Sequence, residues 1–279
     1  MLASQPRGML RSLWRIARAA LVAYLLVVLA IMIFEESLIF FPSRYPDGNW
    51  HPEFQFEDVW FAAADGTKLH GWYLPHDDAR AIVLFAHGNG GNLSHRDFLL
   101  RALHDRLGVA VMIFDYRGYG RSEGTPTEAG VLQDARAART WLAQRAGVPE
   151  SELVLMGESL GDGVVVDLAA DGGTRGLILE SSFASLPDVA AHHYGWLPVK
   201  LLMKSRLDSA SKIGRYHGPL LQFHGDADRI VPFETGQKLF NAANDPKEFV
   251  MIPRGNHNDP PTRRYYDALE RFFARLSAK

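Results

Sequence analysis

The sequence predicts an α/β protein: a mostly parallel sheet with helices on both faces, a small cap over the strand ends, and one apolar helix ahead of it. Three observations carry that expectation. First, six apolar runs (AIVLFA, VAVMIF, ELVLM, GLILE, PLLQF and EFVMI) are each followed by a loop and a segment without strand character. Continuous apolar strands alternating with helices belong to sheets covered on both faces. Second, 279 residues at 47% hydrophobic and 22% charged can fill one sizeable core. Third, an uncharged run of 16 residues (AALVAYLLVVLAIMIF, residues 19–34) stands near the N-terminus.

That run would be roughly 24 Å long as a helix, slightly short for a bilayer core. Its flanks extend it, because Arg18 can snorkel outward and Trp14 suits the headgroup level. Upstream, Arg7, Arg11, Arg15 and Arg18 recur at helical spacing opposite Leu10, Leu13, Trp14 and Ala17, the pattern of a basic amphipathic helix on an anionic leaflet. No A-x-A-like cleavage site follows, since the run ends in IMIFEES. Residues 1–36 are therefore expected to be a basic amphipathic segment and a single transmembrane anchor, with residues 37–279 as the globular domain. Four arginines before the span and Glu35 and Glu36 after it place the N-terminus in the cytoplasm and the domain on the extracytoplasmic side, periplasmic in a bacterium.

The domain should open with a β-hairpin, FQFEDVWFAA and KLHGWYLP, around the turn pair Asp65-Gly66. Helical segments are expected near His95, Thr127, Leu160, Pro232 and Pro261. The long connection over residues 183–217, with Trp196, a Leu-Leu-Met cluster, Pro187 and Pro198, reads as a small, partly helical cap. In such sheets the chemistry gathers at the carboxyl ends of the strands.

Composition excludes several classes. A net charge of -2 leaves no basic excess for nucleic acid, and with 0 cysteines there is no disulfide, thiolate metal site or Cys nucleophile. No H-E-x-x-H spacing suggests a metal, and no cofactor is expected. The loop His87-Gly88-Asn89-Gly90-Gly91-Asn92 is not a dinucleotide loop, because Leu93 stands where G-x-G-x-x-G needs its third glycine.

Gly157-Glu158-Ser159-Leu160-Gly161 fits the G-x-S-x-G nucleophile turn. Chance supplies roughly 0.1 such matches per chain, so the pattern alone is weak. Indeed, Gly120-Arg121-Ser122-Glu123-Gly124 matches it too. Context separates them: SELVLM runs into the first and LGDGVVVDLAA out of it, whereas Ser122 follows DYRGYG and precedes EGTP, where proline delays a helix. Ser159 is the expected nucleophile. Asp162, on the first turn of the next helix, reads as a helix-start carboxylate.

The base and its orienting acid should come from later strands. His257 directly follows the last strand, and Asp228 is taken as the acid, with Asp226 and Glu180 as the other carboxylates after strands. The backbone N–H groups of Asn89 and Leu160 are the expected oxyanion donors, and His87 reads as a structural hydrogen-bonding residue.

Taken in order, HGNGGN, FDYRGYGRSEG, GESLG, HGDADRIVP and GNHND resemble the α/β-hydrolase superfamily. More narrowly, they resemble its N-terminally membrane-anchored serine hydrolases, a group related to serine aminopeptidases and depalmitoylating thioesterases. The resemblance runs from Phe54 onward. It implies an α/β-hydrolase fold, a triad of Ser159, Asp228 and His257, and oxyanion donors at Asn89 and Leu160. The pattern H-G-x-x-D-x-x-V-P puts the acid at Asp228 and not Asp226, while Asp162 departs from the glycine common at that place. The expected activity is two-step acyl transfer on a carboxylic ester or thioester, and the cap and the nearby membrane suggest a small-molecule or lipid-like acyl substrate. A serine peptidase, or a non-catalytic binding protein on the same fold, is the alternative.

Overall fold

The computed structural model describes residues 7–277. Residues 1–6 of the expected N-terminal segment, and the side chains of Arg7 and Leu10, lie outside that description. A long helix α1 (Arg7–Ile33) leads into a short α2 (Glu35–Ile39), and the hairpin β1 (Glu57–Ala62) and β2 (Lys68–Leu74) follows. The remaining elements are β3 (Ile82–Ala86), α3 (Asp97–Arg101), β4 (Ala110–Phe114), α4 (Glu128–Ala146), β5 (Val154–Glu158), α5 (Leu160–Gly172) and β6 (Gly176–Glu180). Then come α6 (Leu186–His193), α7 (Val199–Leu202), α8 (Ser209–Lys212), β7 (Leu220–Gly225), α9 (Phe233–Ala242), β8 (Lys247–Ile252) and α10 (Arg263–Ser277).

Local chemistry accounts for the boundaries. Gly66 takes a φ of 85° in the hairpin turn, and the Asp65 carboxylate accepts from the Thr67 N–H at 3.0 Å. Helix α4 starts where the Thr127 hydroxyl accepts from the Gly130 N–H and stops at the left-handed Gly147.

The eight strands form one sheet in the order β1-β2-β4-β3-β5-β6-β7-β8. The hairpin and its junction to β4 are antiparallel, and all other pairings are parallel. From β3 the chain crosses to β4 on one side and returns to β5 on the other. The strand order reverses there, so a crevice opens beyond the carboxyl ends of β3 and β5. Ala86 pairs with Gly157, so the loops leaving these strands start side by side.

Each face of the sheet carries its own core. Leu84, Met112, Leu155 and Leu177 pack with Val131 and Ala135 of α4 and Val164 and Val165 of α5. Val83, Phe85, Val111 and Met156 face Leu99 and Leu100 of α3 and Leu269, Phe272 and Phe273 of α10. The alternation of Val83, Leu84 and Phe85 between two cores is the period of two that a strand covered on both faces requires.

The connection over 183–217 contains three short α-helices and a 3-10 turn (Ile213–Arg215), but only its first part overhangs the crevice. From Leu207 onward it packs back on α5, where Leu207 meets Gly163 and Lys212 pairs with Asp167 at 2.5 Å. Helix α1 contains one stretch, Arg11–Ile33, long and apolar enough to cross a membrane. Glu35, just beyond it, is buried and accepts from the N–H groups of Lys204 and Ser205 at 2.9 and 2.7 Å.

Candidate active site

The turn from β5 into α5 is held tightly. Ser159 sits at φ 53° and ψ -109°, a conformation that costs a non-glycine residue about 1–3 kcal/mol. Its surroundings hold it there: the Ser159 N–H donates to the Glu180 carbonyl at 2.8 Å, and the Asp162 N–H donates to the Ser159 carbonyl at 3.0 Å. The flanking glycines have a steric reason. A Cβ on Gly161 would overlap the Ala86 carbonyl, and one on Gly157 would come 2.6 Å from the Asp162 carboxylate.

The loops after β7 and β8 bring Asp228 and His257 to this turn. Asp228 Oδ1 accepts from the N–H groups of Ile230 and Val231 at 2.9 and 2.8 Å, which leaves Oδ2 for His257 Nδ1 at 2.7 Å. On the other side of the ring, Ser159 Oγ donates to His257 Nε2 at 3.1 Å. Burial works to raise the Asp228 carboxyl. The hydrogen bond and charge of His257, with the two backbone donors, outweigh it and hold the group below the usual carboxylate range.

The other carboxylates have separate partners. Asp226 accepts from the Arg254 N–H, tying the acid loop to the histidine loop. Asn256 makes a second tie, its side-chain oxygen accepting from the N–H groups of Arg229 and His257 at 3.0 and 2.9 Å. Glu180 accepts from the Tyr265 hydroxyl at 2.9 Å, and burial together with the Glu158 charge raises its pKa to about 7. Asp162 lies on the first turn of α5, as a helix-start carboxylate should, but it is fully buried. It accepts from the Glu180 N–H at 3.2 Å, and burial pushes its pKa well above the usual range.

Ser122 has a structural place. Its hydroxyl donates to the Asp115 carbonyl at 2.7 Å and accepts from the His70 N–H at 2.9 Å, closing the loop after β4 onto β2. His87 is buried, with Nδ1 donating to the Gly88 carbonyl at 2.7 Å and its own carbonyl accepting from Tyr116.

The loop after β3 lies across the crevice from Ser159. The Asn89 side chain anchors it, accepting from the Phe41 N–H at 3.1 Å and the Tyr119 hydroxyl at 2.8 Å. Among the described residues, the N–H groups of Asn89 and Leu160 donate to no protein acceptor. Both residues line a cleft of about 780 Å³ with Ser159 and His257. Ile39, Phe183, Leu186, Val189, Met203 and Val231 make much of its remaining wall apolar.

The sequence reading missed one feature, an ion pair in the wall of this cleft. Arg96 grips Glu158 with both Nε and Nη2, at 3.0 and 2.8 Å, and donates from Nη1 to the Gly90 carbonyl at 2.9 Å. Burial alone would raise Glu158, but the Arg96 charge and hydrogen bonds hold it below the usual range. Arg96 thus joins the β3 loop to the residue before Ser159. It carries no motif signal, since its partner is distant in sequence.

A strained serine, a histidine and a buried carboxylate lie in line at the sheet's carboxyl edge, an arrangement that Ser-His-Asp hydrolases share. Residues 77–213 match the family described as serine aminopeptidase, S33. The chain is 40% identical over 252 residues to uncharacterized protein Rv2307c of Mycobacterium tuberculosis, covering 88% of this chain and 89% of that protein. It is 31% identical over 258 residues to the alpha/beta hydrolase domain-containing protein WAV2 of Arabidopsis thaliana, covering 83% and 84%. In structure it is similar to the esterase domain of a Rhodothermus marinus protein, with a TM-score of 0.62, 25% identity, and coverage of 81% of this chain and 99% of that one. The chain belongs to the α/β-hydrolase superfamily and is a hydrolase of that class.

Proposed function

We propose that the protein is a serine hydrolase that cleaves a carboxylic ester or thioester by two-step acyl transfer, held at the membrane by α1. The observation that carries this reading is the unbroken line Asp228–His257–Ser159 at the floor of an apolar cleft. His257 takes the Ser159 proton as Oγ attacks the acyl carbon, and Asp228 stabilises the imidazolium that forms. The N–H groups of Asn89 and Leu160 hold the oxyanion, the second of them at the positive end of α5. His257 then protonates the leaving alcohol or thiol, and afterwards activates the water that releases the acid.

The esterase-domain neighbour supports this leaving-group class. A peptidase that grips a substrate ammonium needs a free carboxylate in the cleft. Glu158 is the one acidic residue lining it among the described residues, and Arg96 already takes both of its oxygens. The four N-terminal arginines support a cytoplasmic N-terminus with the catalytic domain extracytoplasmic. The test is a fluorophosphonate probe together with short acyl esters, acyl thioesters and aminoacyl amides. Labelling at Ser159 with ester or thioester turnover is expected; turnover of the amides alone would overturn the leaving-group assignment.

A further inference from the structure

Helix α1 is not exposed all round. Between residues 11 and 33, only Tyr24, Val28, Ile31 and Met32 are half-buried, and the rest are exposed. Their spacing of four, three and one puts them on one face. That face lies against the cap: Val28, Ile31 and Met32 share a groove with Leu197, Val199, Leu202 and Met203. Farther up, the Tyr24 hydroxyl donates to the Trp196 carbonyl at 3.3 Å, and the two rings meet edge to face at 6.1 Å. Tyr24 stands nine residues before Ile33, so the cap reaches about 14 Å along the helix.

The position of the arginines makes this contact informative. Arg11, Arg15 and Arg18 leave only residues 19–34 to fill the hydrocarbon core, and that run is already marginal in length. A spanning α1 therefore cannot slide toward its N-terminus to free Tyr24 and Met32 from the bilayer. Whatever packs on that face must enter the bilayer with it. The cap segment 194–203, YGWLPVKLLM, is composed for such a place. Its one charge is Lys200, which pairs with Asp188 at 2.6 Å, while Trp196 is 60% and Leu201 84% exposed. Met203 lines both the groove against α1 and the cleft above Ser159, so the two spaces adjoin at this residue.

We propose that cap segment 194–203 is immersed in the leaflet that holds the C-terminal half of α1. On that arrangement, which rests on the hydrolase reading for its second half, the cleft opens toward the acyl chains, and the substrate is a long-chain acyl ester of a membrane lipid. The ester reaches Ser159 laterally, passing Tyr194 and Met203, with its chain against the apolar wall.

The absence of cysteine makes the test clean. The full-length chain carrying Leu201→Cys or Asp267→Cys is labelled with a bimane fluorophore and placed in phosphatidylcholine vesicles. Some vesicles hold doxyl-labelled lipid, and others are bathed in iodide. At position 201 the label should be quenched by the doxyl lipid and lose its iodide quenching; at 267, on α10, the reverse is expected. In parallel, Leu201→Glu should slow hydrolysis of a long-chain ester presented in vesicles by something on the order of 10-fold, since a carboxylate is costly in hydrocarbon. Turnover of a soluble butyrate ester should stay unchanged. Iodide quenching at 201 without doxyl quenching overturns the immersion. Butyrate turnover without any turnover of the vesicle ester overturns the substrate class alone. Failure on both esters removes the hydrolase reading, while the fluorescence still decides where the cap lies.

Discussion

Replacing Asp228 with asparagine changes almost no volume, and the surrounding hydrogen bonds dictate how the new amide points. The N–H groups of Ile230 and Val231 face Oδ1 at 2.9 and 2.8 Å, so the amide oxygen must sit there. Its NH₂ group then takes the place of Oδ2, 2.7 Å from His257 Nδ1. Because NH₂ can only donate, Nδ1 must accept, and the ring proton moves to Nε2. That nitrogen, 3.1 Å from Ser159 Oγ, no longer accepts the serine proton. A wrong-tautomer histidine in a Ser-His-Asp site costs about 10⁴ in kcat, or ~5.5 kcal/mol of transition-state stabilisation. Both backbone hydrogen bonds survive, so the protein should stay folded. The measurement is kcat for a soluble short-chain ester, with thermal unfolding as the control. Asp226→Asn should remain near the unmodified rate, because its amide oxygen can still accept from Arg254. A loss of less than about 10-fold at Asp228, or a larger loss at Asp226, would refute the assignment.

Ser159→Ala should abolish fluorophosphonate labelling, whereas Ser122→Ala should keep it and lose about 1–3 kcal/mol of stability in denaturant, because two buried backbone groups lose their partner. Retained labelling in Ser159→Ala would move the nucleophile elsewhere. Glu180 has its folded pKa raised to about 7, so between about 4.5 and about 7 the unfolded chain releases a proton that the folded one retains, and stability falls as pH rises. Urea midpoints across that window should fall less steeply in Glu180→Gln than in the unmodified chain; equal slopes would show that Glu180 does not titrate there. The full-length chain should resist carbonate extraction from membranes. Deleting residues 1–33, which spares the Glu35 clamp on the cap, should release a domain that still turns over a short ester, while deleting residues 1–36 should release a less stable one. A full-length protein that washes off in carbonate would rule out the spanning helix.

Features that depend on neighbours in sequence were legible in the primary structure. Strand and helix periods are local, and so are Asp65-Gly66 in its hairpin, Thr127 before α4 and the glycines that permit the Ser159 turn. The order of the motifs also placed Ser159, Asp228 and His257 on loops that a parallel sheet delivers to one edge, and the structure brings these three together. Even the two G-x-S-x-G matches could be told apart, because a strand before and a helix after are visible in sequence. Pairings between distant segments were not legible. Arg96 meets Glu158 across 62 positions, and Glu35 meets Ser205 across 170, with no spacing rule to connect them. Asp162 illustrates the same limit. Its place on a first helical turn is local information, but its burial near Ser159 is set by β6, because only the packed sheet brings the Glu180 N–H to its carboxylate. The apolar length of α1 could be counted from residues 19–34, yet which face of it meets the cap depends on where the fold returns residues 194–203. Tertiary packing decided that, since any exposed apolar stripe on the helix would have satisfied the sequence pattern equally well.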